Sequence, residues 1–180
     1  MTYREMIDAV RVRIEIEAAK KGISLEIPKK LIGLWISQAE IEIQRRFSVL
    51  RAESTVTLTS NVGTLPTDFG NMLGIEDDLT PVRWDEIDDD TDESVYAVDM
   101  GQIKVGTNMN TVDIFYSKKL ESYNDASLTS SSDIRLPRYE KAIEYGALKN
   151  VFEEFNGLYE NELRNVGFIN VPETVGGDFG

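Results

Sequence analysis

Apolar residues recur at helical spacing through the stretch PKKLIGLWISQAEIEIQRRF, which runs from Pro28 to Phe47. At 100° per residue, one face of this stretch carries Ile32, Trp35, Ile36, Ala39, Ile43 and Phe47. Leu34 and Ile41 lie on nearly the opposite face. Pro28 suits a first helical position, because it has no N–H group to leave unpaired there. We therefore predict an amphipathic helix with two apolar faces, each of which needs a packing partner.

An earlier helix is predicted from about Thr2 to Lys21. Thr2 and Glu5 have the spacing of a capping box, and Gly22 suits the left-handed backbone that often ends a helix. Residues 10–17, VRVRIEIE, alternate as a strand would. The apolar pattern is nevertheless long and capped at both ends, which favours the helix.

This first helix also has two apolar stripes. One stripe consists of Tyr3, Ile7, Val10, Ile14 and Ala18. The stripe on the far side consists of Ala9, Val12, Ile16 and Ala19. A second stripe is explained either by a helix in the middle of its own bundle or by a helix packed between its own domain and a neighbouring copy. The candidate subunit-interface residues are Val12, Ile16, Leu34 and Ile41.

Between residues 53 and 120, alternation of apolar and polar residues replaces the helical spacing. This alternation predicts strands at Glu53–Ser60, Met72–Glu76, Leu79–Arg83, Tyr96–Asp99, Gln102–Val105 and Thr111–Lys118. The segments Asn61-Val62-Gly63 and Thr64–Phe69 have the composition of turns. The region therefore predicts a small antiparallel β lobe inserted between helices.

Helical spacing returns after a polar loop at residues 121–133. It predicts a third long helix over Leu136–Asn156 and a short one over Leu158–Val166. The segment 167–180, GFINVPETVGGDFG, has no helical period. It is interpreted either as a disordered end or as an extended arm that docks into a partner. The apolar residues that favour the docking arm are Phe168, Ile169, Val171, Val175 and Phe179.

Together these elements predict an α+β protein with a bundle of three to four helices, an inserted small antiparallel β lobe and an extended C-terminal tail. The predicted boundaries place the helical bundle at 1–52 and 134–166 and the β lobe at 53–120. The polar loop takes 121–133 and the extended C-terminal arm takes 167–180.

Composition restricts the possible chemistry. The chain has 180 residues, a net charge of −13, and neither cysteine nor histidine. Disulfides, thiol catalysis and histidine-based acid–base catalysis are excluded, and we predict no cofactor and no metal. No apolar run is long enough for a membrane span, and the start of the chain does not have the pattern of a signal peptide. The strong negative charge disfavours non-specific binding to nucleic acid, although an acidic lining would let DNA slide past.

Seven carboxylates are concentrated in residues 85–93, DEIDDDTDE. Asp88, Asp90 and Asp92 repeat the start of a calcium-binding loop. The glycine required at the sixth loop position is Glu93 here, and the twelfth position is Asp99 instead of glutamate. A solvated acidic loop is therefore favoured over a cation site.

Three features resemble the head-to-tail adaptor (head-completion) proteins of tailed bacteriophages, especially short-tailed phages. They are the helix LIGLWISQAEIEIQRRF followed directly by a strand, the turn TLPTDF, and the late helix LPRYEKAIEYGALKNVFEEF. The resemblance covers residues 28 to 156. It assigns to the core or to interfaces Trp35, Ile36, Ala39, Leu65, Pro66, Asp68, Phe69, Tyr145, Gly146, Ala147 and Leu148.

The resemblance implies a ring of about twelve copies under the portal protein, located in the virion neck and assembled in the host cytoplasm. Such a ring extends the DNA channel, through which DNA passes without sequence-specific binding, and offers a platform to the tail or nozzle protein. The C-terminal arm would engage the portal.

Two other functions are compatible with the sequence. The first is another neck or tail ring protein, such as a tail terminator or a tail-tube platform. The second, less favoured, is a glycosidase that uses a pair of carboxylates. The sequence contains neither a GxSxG motif nor a phosphate-binding GxxxxGK[ST] motif, so no other enzyme class is indicated.

Overall fold

The computed structural model describes residues 1–75, 79–87, 93–121 and 133–169. The helices in these residues are α1 (Tyr3–Lys20), α2 (Lys29–Phe47), α3 (Glu140–Leu148) and α4 (Phe155–Ile169). The strands are β1 (Arg51–Thr59), β2 (Val62–Thr64), β3 (Phe69–Ile75), β4 (Thr80–Pro81), β5 (Val95–Asp99), β6 (Gln102–Val105) and β7 (Thr111–Lys118). The chain divides into two compact units. A helical unit contains Met1–Phe47 and the described part of Glu121–Gly180, and a strand unit contains Ser48–Leu120.

The start and end of α1 are those predicted from the sequence. The Thr2 backbone N–H donates to Glu5 Oε2 over 2.8 Å, and the Glu5 N–H donates to Thr2 Oγ1 over 3.3 Å, which forms the capping box. Gly22 follows the helix with a φ of +68°. The local alternation of residues 10–17 therefore does not decide the structure, and the helix is confirmed.

The core of the helical unit forms where α2 packs against α1 and α3, and where α3 packs against α4. Its largest fully buried side chains include Tyr3, Met6, Ile14, Ile32, Ile36, Ile43, Leu136, Tyr139, Ile143 and Tyr159. Gly146 allows close approach, because a Cβ atom there would lie 2.7 Å from Ala39 Cβ and 3.0 Å from Tyr159 Cε2. The small residues of α2 and α3 thus bring these two helices together against α4.

The single long helix predicted over Leu136–Asn156 is wrong. A short 3₁₀ turn at Pro137–Tyr139 leads into α3, which ends at Leu148, and α4 starts anew at Phe155. Asn150 explains the break, because its side-chain amide donates to the backbone oxygens of Gly146 over 3.0 Å and Ala147 over 3.2 Å. These bonds satisfy carbonyl groups that a continuing helix would have used.

The strand unit contains a seven-stranded sheet with the order β3-β7-β1-β2-β6-β5-β4. Neighbouring strands are antiparallel except for β4 and β5, which are parallel, so the sheet is mixed. One face buries a continuous apolar core made of Val56, Leu58, Leu65, Leu79, Ile103, Val105, Val112, Ile114 and Tyr116. The strand unit therefore has a hydrophobic core of its own.

Two tight turns set the register of this sheet. Ser60 and Asn61 join β1 to β2 with φ angles of +50° and +63°. Met100 and Gly101 join β5 to β6 with φ angles of +44° and +78°. Two consecutive positive φ angles are the signature of a hairpin turn whose twist matches that of its strands.

The α+β class is confirmed, but the predicted helical bundle with a small antiparallel lobe is wrong. The strands form a curled, mixed, seven-stranded sheet. The prediction missed β2, which lies in a segment with turn composition, and the parallel pairing of Thr80 with Val95. The extended tail is also wrong over its first residues, because α4 continues to Ile169. Residues 170–180 lie outside the described part of the chain.

Candidate functional site

The outer stripe of α1 is an uncovered apolar surface of the helical unit. Val12 and Ile16 are 47% and 46% exposed. Ala9 and Ala19, which extend the stripe in both directions, are also exposed. The opposite stripe is buried, with Ile14 only 1% exposed. The structure thus has α1 facing its own core on one side and presenting an apolar stripe on the other.

Charged side chains border the outer stripe of α1 on both flanks. Arg11 Nε lies 3.7 Å from Glu15 Oε1, and Arg13 Nε lies 3.4 Å from Glu17 Oε1. Lys20 Nζ lies 2.9 Å from the same Glu17 oxygen. These i, i+4 and i, i+3 pairs support the helix modestly and leave the apolar stripe between two rows of mixed charge.

The second face of α2 is covered only in part. Leu34 and Ile41 are half-buried, whereas Ile36 and Ile43 on the first face have no exposed surface. Trp35, which the sequence assigned to the buried face, is also half-buried. The interface candidates therefore divide into an exposed pair on α1 and a partly covered pair on α2.

A buried polar centre at Glu40 joins three segments of the helical unit. Glu40 has no exposed surface. Its Oε1 accepts the backbone N–H groups of Arg135 over 2.8 Å and Leu136 over 3.3 Å. Its Oε2 accepts Arg135 Nε over 3.0 Å, Arg135 Nη2 over 2.9 Å and the Tyr3 hydroxyl. Arg135 Nη1 also donates to the Glu121 backbone oxygen over 2.8 Å.

This centre holds the chain where it returns to the helices after the polar loop. The sequence prediction missed it because Glu40 was treated as one of many polar helix residues. One signal was available, since Glu40 falls four residues after Ile36 and three before Ile43, on the buried face of α2.

A partly exposed charge network links α2 to α3 and α4. Arg46 Nη1 donates to Glu160 Oε2 over 2.9 Å, and Lys149 Nζ donates to Glu42 Oε2 over 3.0 Å. Arg46 lowers the pKa of Glu160, while burial raises the pKa of Tyr159 well above its ordinary value. The Lys149 ammonium lies 3.9 Å from the Tyr159 ring centroid. These contacts hold the helices together.

The predicted portal-binding residues fall on both sides of the boundary of the described chain. Phe168 and Ile169 lie in the last turn of α4 by their backbone. Val171, Val175 and Phe179 lie outside the described residues. The structure therefore gives the backbone position of Phe168 and Ile169 alone among the five residues, and their portal-binding role stays a prediction.

Five described carboxyls have pKa values below their ordinary ones. They are Glu5, Asp8, Asp68, Glu154 and Glu160, and hydrogen bonds stabilise the charged form of each. A glycosidase needs one carboxyl whose pKa is raised, so none of these five suits that role.

Within the described residues, no group of three acidic side chains is placed to hold a metal ion. Asp88, Asp90 and Asp92, the carboxylates of the calcium-loop hypothesis, lie outside the described residues. No helix in the described part of the chain is long and apolar enough to cross a bilayer.

Comparison with known proteins supplies the family. No curated protein matches the chain. The family model described as "SU10 adaptor protein" matches residues 1–168, which includes the whole strand unit and most of the helical unit. A match of this extent confirms the resemblance to phage head-to-tail adaptors, a structural family and not one of enzymes. The chain therefore belongs to the SU10 adaptor protein family.

Proposed function

We propose that this adaptor forms a closed ring beneath the portal in the neck of a tailed phage, extends the DNA channel and provides the docking platform for the tail. The observation that carries the proposal is the outer stripe of α1. Val12 and Ile16 remain about half exposed on a helix whose opposite stripe is buried. Identical subunits arranged side by side in a ring would each cover a neighbour's apolar surface.

The partly covered face of α2 supports the same arrangement. Leu34 and Ile41 are half-buried within one copy, so a neighbour needs to add little to complete their burial. We assign Val12, Ile16, Leu34 and Ile41 to contacts between subunits. Burying such apolar surface contributes about 25 cal/mol for each Å² removed from water.

We assign portal binding to the C-terminal segment that begins in the last turn of α4. The residues expected to contact the portal are Phe168, Ile169, Val171, Val175 and Phe179. Apolar residues interspersed with glycine and one proline are typical of a peptide that docks into a groove of a partner.

The charge of the chain is compatible with a DNA conduit. A net charge of −13 repels phosphate, so DNA would traverse the ring without being retained. The platform for the tail or nozzle protein is assigned to no particular residue.

The proposal is tested by mixing the purified chain with the portal of the same phage and imaging the product by electron microscopy. The wild-type chain should add one ring to the portal. V12D/I16D places charges in the subunit contact and should bind the portal without closing a ring. A chain lacking residues 170–180 should lose portal binding while keeping its fold. M100D is the matched control, because Met100 is 95% exposed in the strand unit and outside both proposed contacts.

Two outcomes would contradict the proposal. Rings of V12D/I16D indistinguishable from wild type would remove α1 from the subunit contact. Binding to an isolated tail tube, with none to the portal, would instead indicate a tail terminator or tail-tube platform. Electron microscopy of each mixture distinguishes these results directly.

A further inference from the structure

Asn156 and Gly157 form an Asn-Gly pair at the start of α4. Asn156 is the one asparagine in the chain that is followed by glycine. The side-chain amide of an asparagine is open to attack by the backbone nitrogen of the next residue. Glycine hinders this attack least, because it has no Cβ atom and its backbone is the most permissive. The pair therefore marks Asn156 as the asparagine whose side chain reacts most readily.

The structure leaves this pair open to solvent. Asn156 and Gly157 are both exposed. A Cβ atom added at Gly157 would have no neighbour within 4 Å. By contrast, the side-chain amide of Asn150 donates to the backbone oxygens of Gly146 and Ala147. Water therefore reaches the Asn156 side chain, and no packed neighbour blocks a movement of the backbone at Gly157.

The first turn of α4 has little to hold Gly157 in its helical conformation. Gly157 is the third residue of α4, and the N–H groups of the first residues of a helix have no acceptor within it. Glycine is a poor helix former, and no acidic side chain lies in this turn to offset the positive end of the helix dipole. Helix ends open locally while the rest of a protein stays folded. Such an opening releases Asn156 from its helical backbone angles, which the attack requires.

We propose that Asn156 is a site of spontaneous deamidation in the folded protein, and that the reaction proceeds through opening of the first turn of α4. The backbone nitrogen of Gly157 attacks Cγ of Asn156, and a new C–N bond forms. The side-chain nitrogen of Asn156 leaves as ammonia, which carries away the proton of the Gly157 N–H. The product is a cyclic succinimide, which water opens at either carbonyl carbon to give aspartate or isoaspartate. The whole reaction consumes water and releases ammonia, and it needs no other reactant.

The two products have opposite effects on α4. Aspartate places a carboxylate in the first turn, where the helix dipole favours a negative charge. Isoaspartate routes the main chain through the side-chain carbons, so it inserts a methylene group between Phe155 and Tyr159, which are both buried. The longer backbone no longer fits the regular helical rise between these two residues. Deamidation therefore either strengthens the start of α4 or removes its first turn.

Incubation of the full chain at mildly alkaline pH, followed by peptide mass mapping, tests the site. The peptide that contains Asn156 should gain the mass difference between a hydroxyl and an amino group. Asn161 and Asn165 are controls within the same molecule, because both are exposed residues of α4 and neither is followed by glycine. G157A should slow the reaction at Asn156 at least about tenfold, because the added Cβ hinders the attack.

Substitution and purification separate the effects of the two products. N156D reproduces the aspartate product and should raise the melting temperature by about 1–4 °C. N161D is the matched control, because it adds the same charge in the middle of α4, beyond the reach of the dipole at the helix end. The isoaspartate form is purified from aged wild-type protein by ion exchange and identified with an isoaspartate-specific methyltransferase. It should melt below fresh wild-type protein.

Native-state hydrogen exchange tests the route. The amide of Leu158, in the first turn of α4, should exchange faster than the amide of Leu163, which is buried further along the helix. Exchange of both amides at the same slow rate would show that the first turn does not open by itself, and would overturn the proposed route.

The proposed site is overturned if Asn156 gains no mass, or gains it no faster than Asn161 and Asn165. It is also overturned if G157A reacts as fast as wild type. A melting temperature of N156D no higher than that of N161D would refute the stabilising effect of aspartate. An isoaspartate form that melts like fresh protein would refute the loss of the first turn.

Discussion

Glu40 is a buried carboxylate whose oxygens accept hydrogen bonds from Tyr3, Arg135 and Leu136. The Glu40 side chain has no exposed surface, and the Arg135 side chain is 22% exposed. Taking charges out of water is costly, and here the cost is offset because both oxygens of the carboxylate accept several hydrogen bonds. The hydrogen bonds of Glu40 hold the segment at Arg135 and Leu136, where the chain re-enters the helical unit, in one position.

We expect E40Q to lower the free energy of unfolding by about 3 kcal/mol, because it leaves the Arg135 guanidinium beside a neutral amide. Denaturation with urea, followed by circular dichroism, measures the loss. E42Q is the matched control on the same helix. Glu42 is 34% exposed, and its pairs with Arg46 and Lys149 should contribute under about 1 kcal/mol. Equal losses in the two variants would refute the special role of Glu40.

Asp68 gives the strand unit a pH dependence. The Tyr116 hydroxyl donates to Asp68 Oδ1 over 2.9 Å, and this bond holds the pKa of Asp68 below its ordinary value of 3.8. A carboxyl whose pKa is lowered by folding stabilises the folded state at pH values above its ordinary pKa. This stabilisation is lost as the pH falls through the lowered pKa.

We therefore expect D68N to reduce the free energy of unfolding by about 0.5–1 kcal/mol at neutral pH, a modest loss because Asp68 is partly exposed to solvent. The difference from wild type should shrink as the pH falls below the ordinary pKa of aspartate. Urea titrations at several pH values measure both effects. A difference that stays constant down to strongly acidic pH would contradict this origin.

At the scale of elements, contact between α2, α3 and α4 depends on a missing side chain. An added Cβ at Gly146 would lie 2.7 Å from Ala39 Cβ, closer than packed carbons tolerate. We expect G146A to destabilise the protein by about 1–3 kcal/mol, although alanine is the better helix former by about 1 kcal/mol. Thermal unfolding measures the change.

Gly157 provides the opposite test in α4. An added Cβ there would have no neighbour within 4 Å. G157A should therefore stabilise the protein by about 0.5–1 kcal/mol through helix propensity alone. If both alanine variants shifted stability in the same direction, close packing at Gly146 would not be the reason for its glycine.

The elements differ in how much of their structure the sequence reveals. The α1 helix was predictable because Thr2, Glu5 and Gly22 mark its ends, and end signals outweigh a local alternation. The end of α3 was not predictable, because the apolar spacing continues past Leu148. The helix ends where the Asn150 side chain bonds to backbone oxygens, and those contacts are visible only in the three-dimensional structure. Strands of two or three residues, such as β2 and β4, are too short for alternation to be read.

The candidate interface surfaces on α1 and α2 also differ in how much of their structure the sequence reveals. Helical spacing placed Val12 and Ile16 on a different face of α1 from Ile14, but it left open whether that face is buried in the same protein, and the structure leaves it exposed. It could not distinguish an exposed second face from a half-buried one on α2, where Leu34 and Ile41 have an intermediate environment. Periodicity gives the direction of a side chain from the helix axis, whereas exposure also depends on which neighbours pack there.

At the scale of the whole molecule, the strand unit has the properties of an independently folding domain inserted into the helical unit. Its first and last strands, β1 and β7, are paired along their length from Arg51↔Ser117 to Thr57↔Thr111. The Lys118 N–H donates to the Leu50 oxygen over 2.8 Å, so both ends of the unit meet. A unit with adjacent ends and its own core needs no helix to complete it.

We therefore expect a fragment of residues 48–120 to fold alone, because its apolar core is formed by its own strands. Cooperative thermal unfolding and well-dispersed amide resonances in an NMR spectrum would establish this. The I114D variant is the control for a disrupted core, since Ile114 has no exposed surface and its charge would be buried without a partner. A complementary chain, with 48–120 replaced by a short glycine–serine linker, should retain the helical signal because Glu40, Tyr3 and Arg135 all remain. An unfolded fragment beside a folded full chain would show that the seven-stranded sheet depends on the helices, and that the two compact units fold as one.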